Sequence, residues 1–234
     1  ILNMIIFISG KAGSGKDTFG IMLGHVLHAI TNPNKANYHP NINNFMNIVE
    51  RIDNGDDVKS IFNSIYFTAL AEPLKDSVAG LIGGDSKYLN IDLFKRSKSC
   101  YKINGKNLTI RELLIYFGDI VRKDNPYFFI DSLLGRVEVY KDIFNKNIAI
   151  VTDLRLKDEY NRVKNRKDVI FIRINRNIKD NNESFRKHCT ETDLDDCVEW
   201  NYVIENNSTF QNLYEYATEV AYNIVDYINN NYER

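Results

Sequence analysis

Between residues 10 and 18 the chain reads Gly10-Lys11-Ala12-Gly13-Ser14-Gly15-Lys16-Asp17-Thr18. Gly10, Gly13 and Gly15 can give the backbone the dihedral freedom to turn N–H groups inward and let phosphate oxygens come close. A helix that opens after such a loop points its positive end at the bound phosphates. The Lys16 ammonium would bridge the outer phosphates of a nucleoside triphosphate and neutralise charge on the transferred group. Gly-x4-Gly-Lys is fairly common by chance. Its placement here, after an apolar run and before a helical one, is what the motif requires. The bland alternative is a glycine-rich turn with a solvated lysine.

One position departs from the strict motif, which sets Ser or Thr directly after the lysine to hold magnesium. Asp17 stands there and Thr18 comes next. Asp17 could hold a metal-bound water, or be a first-turn carboxylate favoured by the helix dipole. Thr18 could bond an inner phosphate. Both are candidate metal residues.

The elements that must position this loop follow from periodicity. Ile5 to Ser9 is a nearly continuous apolar run, as in a central parallel strand. Lys16 to Ile30 repeats apolar residues with helical spacing. Thr31 to Ser64 is polar, with a weaker helical segment from Phe45 to Ile52. Strands are predicted over Ile65–Leu70, Asn147–Thr152, Val169–Ile174 and Tyr202–Ile204. Helices are predicted from Pro73, over Ile110–Arg122, Tyr127–Phe144 and Asp158–Asn165, and after Thr209. Thr109 with Glu112 makes a capping box. Alternating strands and helices predict an α/β fold with a mainly parallel sheet.

The 234 residues, 44% of them hydrophobic, suit one sizeable domain. A formal net charge of -1 argues against a general nucleic-acid binder, so any polyanion site must be a local cluster of Lys and Arg. Cys100, Cys189 and Cys197 form no Cys-x-x-Cys pair, which fits a reduced intracellular protein. A zinc site using His188 and Cys189 has poor ligand spacing. No run is long enough for a membrane span.

Gly-Lys-Asp-Thr at the loop resembles viral and bacteriophage deoxynucleoside monophosphate kinases, which have the P-loop kinase fold. Further stretches look similar in the right order: Ala71-Glu72-Pro73-Leu74-Lys75, Thr109-Ile110-Arg111-Glu112-Leu113-Leu114, Val151-Thr152-Asp153-Leu154-Arg155, Glu191-Thr192-Asp193-Leu194-Asp195 and Val203-Ile204-Glu205-Asn206-Asn207. The resemblance implies transfer of the ATP γ-phosphoryl group to a deoxynucleoside 5′-monophosphate, with magnesium. It also implies a single domain over 1–234, with acceptor-side helical regions near 31–64 and 85–145 and a lid near 175–199. A cytoplasmic protein acting on small molecules, with a homodimer plausible, is expected.

Residue by residue, the expected donor contacts are Gly10, Lys11, Gly13, Ser14, Gly15, Lys16, Asp17, Thr18 and Asn206. Asp153 ends a buried strand at the ligand edge of the sheet; the resemblance places it with Arg155 near the active centre, where it would orient magnesium through water or fix Arg155. The competing reading is a strand-end turn carboxylate paired with a local arginine. Arg111 and Arg122 lie eleven apart, about three helical turns, and with Lys75 are acceptor candidates. Among the lid arginines Arg173, Arg176 and Arg186, Arg176 is the first choice. Lys187 and His188 lie behind them, and no general base is required. The basic run Lys95 to Lys106 is a rim over the acceptor or a solvated face. Rival readings are another P-loop kinase, such as one acting on phosphomevalonate, a nucleotide-dependent switch, and a binding module without catalysis.

Overall fold

The computed structural model describes residues 4–32, 39–177, 192–197 and 199–232, with only the backbone of 92, 231 and 232. Arg186, Lys187, His188, Cys189 and Glu191, and with them most of the expected lid, lie outside the described residues. The chain divides into two compact units, Ile1–Thr68 with Leu134–Arg234, and Ala69–Leu133.

The first unit is built on a five-stranded sheet of β1 (Met4–Ser9), β2 (Ile65–Thr68), β5 (Ile148–Leu154), β6 (Val169–Asn175) and β7 (Tyr202–Glu205). The spatial order is β2-β5-β1-β6-β7 and every pairing is parallel. All carboxyl ends therefore share one edge, where ligands bind in sheets of this kind. All six residues of β1 are buried, because it lies in the middle of the sheet.

Helix α1 (Lys16–Thr31) packs beside the final helix, here α9 (Phe210–Tyr232), and both cover one core with β1, β5 and β6. Gly24 lies against the Phe67 ring with no room for a Cβ. The polar stretch after α1 contains α2 (Ile42–Asp53) and α3 (Val58–Ile61). Phe45 and Phe62 bring this segment into the same core, beside the buried rings of His25 and His28. The histidines are satisfied by Tyr214 Oη at 3.0 Å and Ser64 Oγ at 2.6 Å respectively.

The second unit contains α4 (Glu72–Ile82), a 3-10 turn (Ser86–Asn90), α5 (Asp92–Arg96), the hairpin β3 (Lys98–Ile103) and β4 (Lys106–Thr109), and α6 (Ile110–Asp124). Its small core joins Val78, Ala79, Leu89, Ile110 and Leu113. Helix α7 (Phe128–Phe144) spans the division of the chain, and α8 (Lys157–Val163) follows β5.

Sequence and structure agree on the α/β class and on the main elements. They differ at the hairpin, where periodicity showed only a basic run. The turn is Asn104-Gly105, both with positive φ (50° and 79°), the residue pair favoured in tight hairpin turns. Lys98 and Lys102 are exposed on β3, and the strand hides little besides Ser99, so no alternation of apolar residues announces it. Strand β2 ends at Thr68 rather than Leu70, and α8 ends two residues earlier than the pattern predicts.

Candidate active site

The loop leaves β1 at Ser9 and enters α1 at Lys16. Gly13 and Gly15 have φ of 83° and 90°, in the region that disfavours side chains. At Gly10 a Cβ would collide with the Ser14 hydroxyl and lie 2.7 Å from the Ile174 carbonyl. Gly15 is the N-cap of α1, and among the described residues no side chain caps that helix. Its first-turn N–H groups therefore suit an anion. Ser14 Oγ is buried and meets no hydrogen-bond partner among the described residues.

Asn206 follows β7 and donates its amide to the Ser14 carbonyl at 2.8 Å. The same amide fills the space that a side chain at Gly15 would need. Its visible contact is thus with the loop itself. Asn207 Oδ1 accepts from the Asn177 N–H at 2.7 Å and ties the end of β7 to the chain leaving β6.

Lys16 is 6% exposed, and its Nζ lies 3.5 Å from Asp17 Oδ2. Asp17 itself is exposed, and its Oδ1 accepts the Thr152 hydroxyl at 2.6 Å. Thr152 belongs to the end of β5. There the register slips: Phe7 pairs Val151 while Ser9 pairs Leu154, so Thr152 and Asp153 together oppose Ile8. Such irregularities re-aim side chains next to functional sites. Asp153 and Arg155 are half-buried at this strand end. The Arg155 and Leu156 N–H groups donate to the buried Glu159 carboxylate at 3.2 and 3.1 Å, which fixes the turn into α8.

On the other side of the loop, Arg173 of β6 donates to Ser9 Oγ at 2.9 Å and to Asp195 Oδ1 at 2.8 Å, with its guanidinium over the Trp200 ring. Asp195 Oδ2 also holds Lys11 Nζ at 2.7 Å. The neighbouring Asp193 and Asp196 bind Lys157, through its N–H at 2.6 Å and its Nζ at 2.8 Å. The Asp196 partner raises the Lys157 ammonium above its usual value, and Lys157 lowers Asp196 in return. Tyr160 donates to the Glu199 carbonyl at 2.8 Å; burial, reinforced by Cys197 and Glu199, pushes its phenol well above the usual range. The short turn at 192–197 is thereby strapped to the loop, to β6 and to α8.

A cleft of about 580 Å³ opens between these groups, lined among others by Lys11, Ser14, Arg173, Arg176, Trp200 and Val203. Arg176 is exposed within it, whereas Arg173 is committed to Ser9 and Asp195. At the far edge of the sheet Arg136 of α7 donates to Thr68 Oγ1 at 3.0 Å.

In the second unit, Arg111 and Arg122 are half-buried on α6. Arg122 lies along Gly118, with its guanidinium 4.7 Å from the Phe129 ring centroid. Lys75 donates to Asn90 Oδ1 at 2.8 Å. The predicted capping box is present: Thr109 Oγ1 accepts from the Glu112 N–H at 3.1 Å, and Glu112 accepts from the Thr109 N–H at 2.8 Å. Among the described residues, no group of three or more His, Cys, Asp or Glu gathers as a metal cage, and no helix is long and apolar enough to cross a membrane.

A family profile for deoxynucleotide monophosphate kinase matches residues 51–217, more than two thirds of the chain. The chain belongs to the deoxynucleotide monophosphate kinase family. No individually curated protein matches it. The kinase is thus a transferase that phosphorylates deoxynucleoside monophosphates. The matched stretch begins after the phosphate loop, so the loop and the family profile are separate lines of evidence. Thr152, Asp195 and Arg136 were not singled out in the sequence. A threonine one residue before an expected catalytic aspartate carries no signal of its own, and neither does an arginine inside a helix. Thr152 and Asp195 both lie in stretches that resemble the family's, but only the fold brings them to Asp17 and Lys11.

Proposed function

We propose that the kinase transfers the γ-phosphoryl group of ATP, with magnesium, to a deoxynucleoside 5′-monophosphate, giving the diphosphate and ADP. The observation that carries this reading is the phosphate loop itself. Gly13 and Gly15 are in left-handed conformations, α1 has no side-chain cap among the described residues, and Lys16 is buried at the carboxyl edge of the sheet.

In this reading Gly10 to Thr18 cradles the triphosphate, and Ser14 Oγ donates to one of its oxygens. Lys16 draws charge off the transferred group. Lys11 and Arg176 flank the donor at the cleft. Asn206 acts on the donor through the loop it holds. Arg111, Arg122 and Lys75 bind the acceptor, arginine forks matching its phosphate oxygens. Asp153 and Arg155 orient groups around the transferred phosphoryl. The acceptor phosphate is already an anionic nucleophile, so no side chain needs to take a proton.

Asp17 and Thr18 would hold magnesium. Carboxylate and hydroxyl are hard oxygen donors, and magnesium bound to nucleotides uses one or two carboxylates with the phosphates. When bound, the ion supplies neutralisation of charge on the outer phosphates. The kinase works on small molecules in the cytoplasm, and a homodimer is consistent with the family resemblance.

A panel of deoxynucleoside monophosphates with ATP and magnesium, read by ADP release and by labelled phosphate in the diphosphate product, tests this. At least one deoxynucleotide should stimulate turnover well above the ATP-only rate. Stimulation by phosphomevalonate and by no deoxynucleotide, or turnover indifferent to every acceptor, would sink it.

A further inference from the structure

Phosphate loops ordinarily supply a Ser or Thr hydroxyl after the lysine, with a carboxylate from another strand, and the two hold magnesium between them. Here the position after the lysine is a carboxylate, Asp17, with Thr18 one place later, and β5, the strand paired with β1, brings a hydroxyl, Thr152, beside its own carboxylate, Asp153.

Asp17 and Thr152 are built to meet. Thr152 Oγ1 donates to Asp17 Oδ1 at 2.6 Å. The Thr152 methyl sits against Gly20, where a Cβ would come within 2.7 Å of Cγ2. A β-branched side chain has few χ1 choices, so a methyl packed there leaves the hydroxyl on the Asp17 side. The other Asp17 oxygen faces Lys16 Nζ at 3.5 Å. A side chain that is 71% exposed is thus held at one oxygen and oriented at the other.

We propose that Thr152 is a positioning residue for the donor site: its hydroxyl fixes the Asp17 carboxylate in the orientation that receives the magnesium of the nucleotide. The proposal rests on the ATP-magnesium reading above and extends it to a residue outside the loop. Gly20 belongs to the same device, since only glycine leaves room for the Thr152 methyl.

The test is binding of a fluorescent ATP analogue (N-methylanthraniloyl-ATP) without acceptor, in magnesium and in EDTA. Thr152→Val keeps both branches and removes the donor; Thr152→Ser keeps the donor. The wild type should bind more tightly with magnesium. In Thr152→Val that enhancement should fall by about 10-fold or more while affinity in EDTA stays within about twofold, as expected when the partner of a metal-binding group is lost. Thr152→Ser should keep the wild-type enhancement. Thr152→Ala, which also lacks the donor, takes the place of a Thr152→Val protein that does not fold, and Asp17→Asn should lose the enhancement as well.

An unchanged enhancement in Thr152→Val, an equal loss with and without magnesium, or a Thr152→Ser protein as impaired as Thr152→Val would each overturn the assignment. No enhancement in the wild type overturns it together with the magnesium reading. Enhancement without phosphoryl transfer to any deoxynucleotide leaves the pair standing and removes only the kinase step.

Discussion

The Asp195 carboxylate grips Lys11 of the phosphate loop at 2.7 Å and Arg173 of β6 at 2.8 Å, one oxygen to each. Lys11 and Asp195 are 49% and 38% exposed, so their pair adds little to stability. Its effect is on charge, because Asp195 sets a negative group beside the site proposed for the nucleotide phosphates. Removing it frees Lys11 and leaves Arg173 on Ser9. We expect Asp195→Asn to bind ATP more tightly at low salt, by up to about fivefold, the size of a single charge interaction near 4 Å in water. Titrations at low and high salt check this, since screening should erase most of the gain. Weaker binding at both salts would show that Asp195 aligns the loop instead.

Lys16 gives the sharpest separation of binding from chemistry. Its side chain is buried, so Lys16→Met, which keeps the packed stem, is the better replacement. Phosphoryl transfer should drop by about 10²–10³-fold or more, as when a preorganised group at the developing charge is lost. The thermal midpoint should change little. A variant with near-normal kcat would remove Lys16 from the transition state.

The local structure of the candidate site is legible in the sequence, because its signals are local. The glycines, Lys16 and the flanking strand and helix lie within about 30 consecutive residues, and their periodicities are direct consequences of burial on a sheet. The capping box is legible for the same reason, since its two partners are three positions apart. Contacts across long sequence separations are not. Thr152 reaches Asp17 across 135 positions and Asn206 reaches Ser14 across 192. No spacing rule links them; only the parallel order β5-β1-β6-β7 brings their strand ends together. The hairpin was missed for another reason. Its strands are mostly exposed, so burial imposes no alternation, and only Asn104-Gly105 marks it.

Two helical glycines should respond oppositely to alanine. Gly24 of α1 has the Phe67 ring where a Cβ would go, and Phe67 is itself backed by Phe62. Overpacking of this kind costs about 1–3 kcal/mol, against roughly 1 kcal/mol gained in helix propensity. Gly24→Ala should therefore be net destabilising. Gly80 of α4 has nothing within 4 Å of the same position. Gly80→Ala should stabilise by about 0.4–1 kcal/mol through the unfolded chain. Urea midpoints of the two variants measure the contrast, and two changes of the same sign would contradict the packing described at Phe67.

Glu112 should make the first turn of α6 sensitive to acid. Its carboxyl is held below the usual value of 4.5, first by the hydrogen bond from Lys106, at 2.8 Å, and then by the Thr109 N–H. A carboxyl lowered in the fold contributes stability that is fully present above its unfolded value. That contribution is lost as the pH falls through the folded value. The window is therefore below about pH 4.5, the unfolded carboxylate value. The Glu112 side chain is 40% exposed, so solvent screens the Lys106 pair, and the loss should stay under about 1 kcal/mol. Hydrogen exchange in the first turn of α6 should speed up across this window in the wild type, as the cap over the helix N-terminus weakens. In Glu112→Gln exchange should be faster at neutral pH and lose that step. Thr109→Ala, which removes the other half of the box, should cost about 1 kcal/mol at neutral pH and leave the acid step in place. An acid step that survives in Glu112→Gln would assign the titration to a different carboxyl.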